Sequence, residues 1–482
     1  MEMQNNNIPR AANPRRRKRS KFQIFKESYL PVIIVVLTIC CLFVFILGSL
    51  SKNRGNDGAS NEATTAPTTT MPTTSTLSQE LLLEADGLLS QAAVLAADYD
   101  YAGAMALLET FSGNIDTHPA LRSAYDEYKA LHESMVAWTP SQVVNLSVHM
   151  LIADPQRAFH DGDYGTLGDI NYSASYKKNF ITTNEFSAIL QQLYDNGYML
   201  VSLSDLYTQE YDASSGRMVY VEKTLLLPPG KTPVMLTETN ANYYVYMVDS
   251  SWDNLPDENG DGFAYKLCYG ENGFYNELIN ADGTLSTGAY DVVPILENFI
   301  SAHPDFSYRG ARAIIAMTGY DGVLGYRITS TRMSANALEA EKASAAAVVQ
   351  ALRDHGYEIA CFTFDNLNYA EESAEKIKAD LDSWKAITDV IGPVDIMVLP
   401  KEGDIATRDE EYNQNAKFNV MYNYGFHFYL GSGETSWSQV SDRYVRHSRL
   451  MVTGSYLLNH PEWYKNLFSA ASVLDDARTQ NS

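Results

Sequence analysis

Hydrophobic residues follow three different patterns along this chain. Leu30–Leu50 is an unbroken, uncharged apolar run, and a membrane span needs about 20 such residues. Residues 78–138 repeat apolar side chains at helical spacing, whereas from residue 139 onward short apolar runs alternate with longer helical patterns. The pattern therefore predicts a transmembrane helix, a small helical segment and an α/β domain, in that order.

The α/β pattern is clearest at Thr232–Asn240, which reads TPVMLTETN, a short apolar run that ends abruptly in polar residues. Such a stretch is typical of a buried strand whose carboxyl end opens into a site. The other predicted strands cover 143–152, 311–317, 358–364, 394–400, 425–431 and 444–454. The predicted helices cover 182–198, 292–304, 337–355 and 370–391. Asn184 and Asn336 are the expected caps of the first and third of these helices. Alternation at this spacing predicts a parallel sheet or barrel.

Four segments carry a family resemblance. In chain order they read TTNEFSAILQQLYDNGYMLVSLSDLY, TPVMLTETN, DHGYEIACFTF and VDIMVLPKEGDI. They resemble successive segments of the polysaccharide deacetylases (NodB-homology proteins, carbohydrate esterase family 4), and the resemblance covers residues 143–456. It implies the family's distorted (β/α) barrel with fewer than eight strands. It also implies the family's reaction, the metal-dependent removal of acetyl groups from cell-wall sugars.

The motif residues depart from that family at four positions. Thr239 stands where the family has its catalytic-base Asp, and Asn240 where it has a metal-binding Asp. Phe362 and Asn366 stand where the family has two metal-binding His. Phe cannot bind a metal, and neutral Asn amides are poor zinc ligands. The departures predict a site without a metal or other cofactor and without metal-dependent deacetylase activity.

Other side chains near the predicted strand ends supply alternatives. The candidate catalytic carboxylates are Glu238, Asp365 and Asp404, because a carboxyl pair at a suitable separation can hydrolyse a glycosidic bond. The candidate ligand-binding residues are Tyr243, Tyr244, Trp252, His149 and Arg446. Tyr and Trp rings offer apolar faces with a polar edge, which suits them to stack on sugar rings. The simpler interpretation makes the carboxylates solvated rim residues and gives His149 a core position.

Charge is distributed unevenly along the chain, which has 482 residues and a net charge of −23. Residues 1–29 carry eight basic and two acidic side chains, a net of +6, and 30–77 is neutral, so 78–482 carries −29. The basic residues predict a cytoplasmic N-terminus and an extracytoplasmic remainder; a cleaved signal peptide is the alternative. The acidic remainder predicts no binding to nucleic acid.

The segments that flank the membrane span complete the predicted domain order. Residues 1–29 form a basic tail, and Ser51–Leu77 is a Thr-, Pro- and Ala-rich linker. Residues 78–138 form a helical stalk with weak similarity to a tetratricopeptide repeat, an architecture that needs about three repeats. Whether this stalk packs against the next domain or binds other proteins stays open. The deacetylase-like domain is predicted at 139–482.

Two local features are less informative. Asp257–Gly262 reads DENGDG, like the first half of a calcium-binding EF-hand loop, but Cys268 stands where the bidentate Glu belongs, so a turn is the simpler interpretation. Cys268 and Cys361 are the cysteines outside the predicted span. Two buried free thiols are expected there, although a disulfide is the alternative.

The sequence supports three functional hypotheses. The first is a membrane-anchored, extracytoplasmic deacetylase-like protein that has lost metal-dependent activity and binds cell-wall polysaccharide or peptidoglycan, alone or with other envelope proteins. The second is an active deacetylase or hydrolase with non-standard site residues. The third is a protein-interaction scaffold that uses the helices of 78–138.

Overall fold

The structure is a computed structural model that describes residues 79–159, 166–167, 170–248 and 260–480. Residues 77–482 form one compact unit. The predicted basic tail, transmembrane helix and linker lie outside the described residues, as do Trp252 and the first half of the Asp257–Gly262 loop. Within the described ranges, no helix is long and apolar enough to cross a membrane.

Three helices open the described chain and share a small core. They are α1 (Gln79–Ala97), α2 (Tyr101–Leu108) and α3 (Pro119–Ser134), and Ala and Leu side chains at helical spacing pack between them. The short strand β1 (Val136–Trp138) follows and pairs antiparallel with a strand at 225–227. The Arg309 guanidinium lies 3.0 Å from the Asp100 carboxylate. The helical segment therefore packs against the α/β domain.

The α/β domain is built on a closed barrel of parallel strands. The strands after β1 are β2 (Val144–His149), β3 (Thr166–Leu167), β4 (Ile170–Asn171), β5 (Tyr198–Leu200), β6 (Tyr207–Asp212), β7 (Arg217–Glu222), β8 (Leu225–Leu227), β9 (Thr232–Thr239), β10 (Lys266–Gly270), β11 (Gly273–Ile279), β12 (Leu285–Gly288), β13 (Ile314–Met317), β14 (Glu358–Cys361), β15 (Ile396–Val398), β16 (Phe428–Ser432), β17 (Ser438–Val440) and β18 (Val445–Met451). Seven of them form the ring β9–β13–β14–β15–β16–β18–β2, which returns to β9. Every neighbouring pair in the ring is parallel. The predicted (β/α) barrel with fewer than eight strands is confirmed.

Strand β9 organises the barrel because one of its edges has two partners. On one edge it pairs with β2 as far as His149, which lies opposite Thr239. On the other edge β5 pairs with the first three residues of β9, and β13 pairs with the last three. β9 continues three residues beyond Leu236, the last residue of the apolar run, and ends within the polar stretch at Thr239.

Helices connect the barrel strands and cover the outside of the ring. The remaining helices are α4 (Pro155–Ala158), α5 (Ser173–Asn179), α6 (Thr183–Asp195), α7 (Leu203–Leu206), α8 (Val245–Val248), α9 (Val292–Ala302), α10 (Ala335–Asp354), α11 (Ala374–Ile391), α12 (Ala416–Asn423), α13 (Gly454–Asn459), α14 (Ala470–Val473) and α15 (Asp476–Gln480). Both expected helix caps were wrong by two residues. Thr182, not Asn184, caps α6, and Ser334, not Asn336, caps α10. In each helix a hydroxyl oxygen accepts from the N–H three residues ahead.

Alternate residues of the barrel strands face two different apolar cores, as the strand pleat requires. The core inside the barrel includes Met235, Ile314, Ala360, Val398 and Leu430. The core between the barrel and its helices includes Leu236, Ile315, Cys361, Met397 and Tyr429. By this alternation Thr239 belongs to the inner face of β9, and Glu238 belongs to the outer face.

Candidate functional site at the mouth of the barrel

The loops that follow the barrel strands have an unusual backbone conformation. Nine described non-glycine residues have positive φ, and seven of them lie in loops after β9, β13, β14 or β15: Asn240, Tyr243, Leu324, Thr363, Asn366, Lys401 and Glu402. Positive φ is costly for residues other than Gly, and such residues cluster at functional sites. We define the mouth of the barrel as the carboxyl ends of the ring strands together with these loops.

His149, the last residue of β2, is the centre of a hydrogen-bonded group at the mouth. Its Nδ1 lies 2.6 Å from Thr239 Oγ1 and 3.2 Å from Asn240 Nδ2. The Tyr244 hydroxyl donates to Asn240 Oδ1 at 3.0 Å and lies 3.0 Å from Thr318 Oγ1. Because Asn240 Oδ1 accepts from Tyr244, the Asn240 amide turns its N–H groups towards the imidazole. Thr239 Oγ1 also lies 3.1 Å from the Val148 carbonyl oxygen, so its single proton serves one of these two contacts. We assign the ring proton of His149 to Nε2, because the Asn240 N–H faces Nδ1.

The environment of His149 keeps its imidazole neutral. Burial, together with the positive charge of Arg449, lowers the pKa of His149 to about 4. The ring packs against Phe180, with centroids 5.4 Å apart, and meets Phe362 edge-on at 6.5 Å. No described residue hydrogen-bonds to Nε2. The mouth therefore offers one N–H donor in a fixed orientation.

The positions that follow β14 do not supply metal ligands. Phe362 is 2% exposed and packs into the core inside the barrel. Asn366 Oδ1 is buried and has no hydrogen-bond partner in the described part of the chain. With Thr239 and Asn240, these positions present a hydroxyl, two amides and a phenyl ring, a donor set that does not fit zinc. Across the described ranges, no three His, Cys, Asp or Glu side chains are close enough to hold a metal ion.

Arg449 of β18 places a positive charge inside the barrel. It is 1% exposed, and its guanidinium donates to the Ser147 hydroxyl at 2.8 Å and to the carbonyls of Leu399 and Leu430 at 2.9 and 3.2 Å. Burial lowers the pKa of Arg449 to about 10, so the group is charged at neutral pH. The sequence marks Arg449 only as an arginine on a predicted strand, and its place beneath His149 follows from the closure of the ring.

Four tyrosines form an aromatic wall beside the mouth: Tyr172, Tyr244, Tyr246 and Tyr320. Tyr244 and Tyr246 stack with centroids 5.8 Å apart and 16° between their planes. Tyr172 lies 5.1 Å from Tyr246, and Tyr320 lies 6.3 Å from Tyr244. Tyr320 is 48% exposed, so the outer end of the wall is open to solvent. Of these four tyrosines, the sequence predicted only Tyr244 as a ligand-binding residue. Tyr246 follows it by two residues, whereas Tyr172 and Tyr320 lie in other loops that the fold brings to the same place.

Glu238, a candidate catalytic carboxylate, lies inside the protein on the outer face of β9. It is 1% exposed and lies beside the fully buried Asp291, which caps α9. Asp291 Oδ1 accepts from the backbone N–H groups of Leu151 and Val292 at 2.8 and 2.9 Å. Glu238 Oε1 and Asp291 Oδ2 have no hydrogen-bond partner among the described residues. We call these two residues the buried carboxyl pair.

Burial keeps the buried carboxyl pair protonated to a higher pH than exposed carboxyl groups. Burial, together with the negative charge of Asp291, raises the pKa of Glu238 well above its ordinary value. Burial raises the pKa of Asp291 to about 6, while the nearby Tyr243 hydroxyl and the two backbone N–H groups oppose that rise. Because Asp291 accepts the backbone hydrogen bonds, Glu238 is the partner that keeps its proton to the higher pH. Tyr243 is 1% exposed, and Asn276 donates to its hydroxyl at 3.1 Å, so its ring is part of the core.

The other candidate carboxylates have different partners, so the structure does not bring the three together. Asp365 is exposed, and its backbone N–H donates to Asp380 at 3.0 Å. Asp404 forms an ion pair with Arg446 at 3.0 Å and accepts a hydrogen bond from the Tyr412 hydroxyl. Arg446 is 1% exposed, and its guanidinium lies 4.3 Å from the centre of the Tyr412 ring. This contact anchors the loop after β15 to β18.

Two predictions concern residues near the edge of the described chain. Asp261 accepts a hydrogen bond from the Tyr176 hydroxyl at 2.5 Å, but Asp257 and the rest of the DENGDG loop up to Asn259 lie outside the described residues, so calcium binding stays a prediction. Cys268 and Cys361 are both buried free thiols, and the alternative of a disulfide between them is wrong.

Comparison with known proteins gives matches among solved structures alone. No family model and no curated protein matches the chain. The Streptococcus pyogenes deacetylase PplD, solved with acetate, is 11% identical over 66% of this chain and 98% of its own, with a TM-score of 0.31. A de-N-acetylase of Aggregatibacter actinomycetemcomitans is 16% identical over 68% and 99%, with a TM-score of 0.34. BA0330 of Bacillus anthracis, whose name assigns it to the polysaccharide deacetylases, is 10% identical over 69% and 70%, with a TM-score of 0.30.

All three similar structures are deacetylases by name, the class of protein that the sequence resembles. At these TM-scores and identities the matches carry no argument about individual residues. The interpretation of the site rests on the contacts within this chain.

Proposed function

We propose that this chain is a deacetylase-like barrel protein that binds cell-wall glycan at the mouth of its barrel and does not perform metal-dependent deacetylation. One observation carries the proposal. Thr239 and Asn240, which stand at the positions of the base and of a metal ligand, both contact Nδ1 of His149. Side chains that hold a neutral imidazole in one orientation supply neither a carboxylate base nor an anionic metal ligand. The mouth keeps groups that bind, without groups that hydrolyse.

The mouth combines two kinds of contact that suit a sugar. The aromatic wall offers apolar ring faces, and its outer end, Tyr320, is open to solvent. His149 offers an N–H donor that burial has already desolvated and that Asn240 has already oriented, so little ordering remains to be done on binding. An N-acetylated pyranose has an apolar ring face for the wall and an acetamido carbonyl for the donor. We therefore propose N-acetylated sugars of cell-wall polysaccharide or peptidoglycan as the ligand.

The proposal includes the predicted membrane anchor. Leu30–Leu50 would hold the protein in the membrane with the basic tail in the cytoplasm. The predicted linker Ser51–Leu77 would then let the domain reach about 30 Å from the bilayer surface. The net charge of −29 on residues 78–482 disfavours nucleic acid as a partner. The helical segment α1–α3 would be available to other envelope proteins.

Acetate release by the purified full chain separates the proposal from an active deacetylase. Acetylated chitooligosaccharides and peptidoglycan are offered with added zinc or cobalt, and again with a chelator. We expect no acetate under any of these conditions. Metal-dependent release would overturn the proposal, because it would require metal ligands other than those at the mouth. The matched variant carries Thr239→Asp, Asn240→Asp, Phe362→His and Asn366→His, and calorimetry should detect zinc binding by that variant and none by the parent chain.

Calorimetric titration with an acetylated chitooligosaccharide tests the binding itself. Removing the exposed ring by Tyr320→Ala should weaken binding by roughly 3- to 10-fold, the usual worth of one aromatic contact, whereas Tyr320→Phe should retain it. Tyr211→Ala is the matched control, because Tyr211 is 66% exposed on the β6–β7 hairpin and should be neutral. Equal loss in both Ala variants would remove the aromatic wall from the site.

A further inference from the structure

A second cavity lies at the seam of the barrel, where β18 and β2 meet. These two strands pair through two residues each, Leu450 with Leu146 and Met451 with Ser147. Below this short contact a cavity of about 430 Å³ opens, a volume within the range of small-molecule sites. We call it the seam cavity, and its lining includes Val144, Tyr198, Leu450, Glu434, Glu462 and Trp463.

The charged side chains that line the seam cavity are both acidic. Glu434 and Glu462 are both exposed at its rim. None of the described residues that line it is Lys, Arg or His. The imidazole Nδ1 of His460 lies 3.5 Å from the Glu462 carboxylate, but His460 is outside the lining. Two carboxylates without a cation in the same cavity attract a positively charged ligand, and repel an anionic one.

Trp463 gives the seam cavity a rigid aromatic surface. Its indole stacks on the His460 ring with centroids 4.2 Å apart and 16° between the planes, and it meets Tyr456 edge-on at 5.0 Å. Trp463 is half-buried, so part of the indole is open while the rest is held by these rings. An ordered indole binds an alicyclic ring through its apolar face and a cation through its negative face.

The remaining lining combines apolar and polar side chains. Val144, Leu450 and Leu467 are buried or half-buried, whereas Gln142 and Asn466 are exposed at the rim. Among the buried lining residues, Asn145 is 1% exposed, and its Nδ2 has no hydrogen-bond partner in the described part of the chain. Amide side chains both donate and accept, which suits them to sugar hydroxyls. The seam cavity thus offers an aromatic face, amide partners for hydroxyls and two carboxylates for an ammonium group.

We propose that the seam cavity binds a hexosamine residue whose amino group is free and protonated. The pyranose ring would lie against Trp463, its hydroxyls would meet the amide rim, and its ammonium would lie between Glu434 and Glu462. The proposal rests on the proposed function only in that both concern cell-wall glycan. The mouth would take N-acetylated sugar, and the seam cavity would take the de-N-acetylated form, so one domain would recognise both forms of the same polymer.

Calorimetry on the full chain tests this with three probes: a glucosamine oligosaccharide, the N-acetylated oligosaccharide of the same length, and spermidine. A pH of about 6 keeps a sugar amine protonated. We expect the double variant Glu434→Gln/Glu462→Gln to weaken glucosamine binding at least tenfold at low salt. The matched double variant Glu210→Gln/Glu271→Gln changes net charge equally at exposed positions outside the cavity, and should bind as the parent chain does.

The probes make each failure identifiable. Spermidine that binds as tightly as the glucosamine oligosaccharide would overturn the sugar assignment. Equal weakening by both double variants would reduce the effect to net charge and would also overturn it. If Glu434→Gln/Glu462→Gln also abolished binding of the N-acetylated oligosaccharide, the seam cavity would not distinguish a free amine from an N-acetyl group. That result would overturn the proposal. The proposed binding at the mouth can fail independently of this proposal. Tyr320→Ala should weaken binding of the N-acetylated oligosaccharide and leave binding of the glucosamine oligosaccharide at the seam cavity unchanged.

Trp463 supplies a second readout that does not depend on charge. Trp463→Phe should keep most of the affinity for the glucosamine oligosaccharide, whereas Trp463→Ala should weaken it about tenfold. Spermidine should be affected less by the Ala variant, since it has no ring to stack. A Trp463→Ala variant with full affinity for the glucosamine probe would place that ligand elsewhere.

Discussion

Glu238 and Thr239 are adjacent at the end of β9, yet they have opposite environments. Thr239 faces the inside of the barrel and contacts a neutral imidazole that is accessible at the mouth. Glu238 faces the helices and shares a dry position with Asp291. The ionisable residue is thus in the wall of the barrel, and the neutral residue is at the site. At a strand end, the face on which a side chain lies decides whether it can do chemistry, since side chains alternate.

The same comparison explains why a glycosidase mechanism does not fit the candidate carboxylates. A hydrolytic pair must flank a substrate, with a separation set by the water or the sugar between the carboxyl groups. Glu238 has a close carboxyl neighbour, but both members of the buried carboxyl pair are at most 1% exposed. The Asp365 carboxylate is exposed, and the Asp404 carboxylate is held by Arg446. The buried carboxyl pair belongs to the stability of the fold, and binding is proposed at the mouth instead.

The largest effect on stability is expected for substitutions of Asp291, the member of the buried carboxyl pair that accepts backbone hydrogen bonds. Asp291→Ala should lower the free energy of unfolding by about 3 kcal/mol, because the N–H groups of Leu151 and Val292 would lose their acceptor in a buried position. Asp291→Asn keeps an oxygen acceptor and should cost less than half as much. Urea denaturation measures both. Equal losses would mean that the charge of Asp291, and not its hydrogen bonds, holds this end of α9.

The second prediction concerns how the free energy of unfolding depends on pH. Both carboxyl groups have folded-state pKa values above their unfolded values, so the folded state binds more protons. Their contribution is complete below about pH 4. That of Asp291 is lost as the pH rises through about 6, and that of Glu238 is lost at a higher pH. Glu238→Gln removes one titrating group and should raise the free energy of unfolding by about 2 kcal/mol at pH 7.

The stabilisation by Glu238→Gln should disappear as the pH falls to about 4, where the parent chain is also protonated. Urea denaturation at a series of pH values follows the difference. Glu210→Gln, at an exposed position on β6, is the control and should give no such trend. A benefit from Glu238→Gln that stayed constant across the pH range would show that protonation is not its cause.

The smallest effect is expected at the mouth itself. His149→Phe removes the Nε2 donor while keeping an aromatic ring against Phe180, and should weaken binding of N-acetylated oligosaccharide about tenfold, the worth of a hydrogen bond in a dry site. His149→Gln places an amide N–H near the same position and should recover part of that loss. Stability should change less than in Asp291→Ala. Undiminished binding by His149→Phe would take the imidazole out of the ligand site.

The sequence was sufficient to predict the barrel because each ring strand is a short apolar run bounded by polar residues and separated by a helical pattern. The predicted stretch Thr232–Asn240 extends one residue beyond the observed end of β9 at Thr239. The positions Thr239 and Asn240 were recognised from their order relative to that strand. Local pattern could not reveal that His149 and Thr239 lie side by side, because this contact depends on the register between β2 and β9.

Other parts of the site depend on closure of the ring and could not be read from neighbouring residues. Arg449 reaches acceptors from β2, β16 and the loop after β15, which a linear pattern does not bring together. Tyr172 and Tyr320 are among 32 tyrosines, and nothing local separates them from tyrosines of the core. Glu238 misled the sequence analysis because its place at a strand end suggested a residue on the rim of the site. The pleat of β9 instead turns its side chain away from the barrel interior, towards the helices.

The division of one edge of β9 between two partners also has a consequence for folding during synthesis. β2, β5 and β9 precede β13 in the chain, and β2 and β5 each pair with β9, which lies between them. A three-stranded parallel sheet can therefore assemble while the later half of the polypeptide is still being made, as domains generally begin to fold from the N-terminal side. The unpaired part of β9, at its carboxyl end, is then the docking position for β13. The residues that prepare the mouth would also nucleate the closure of the barrel.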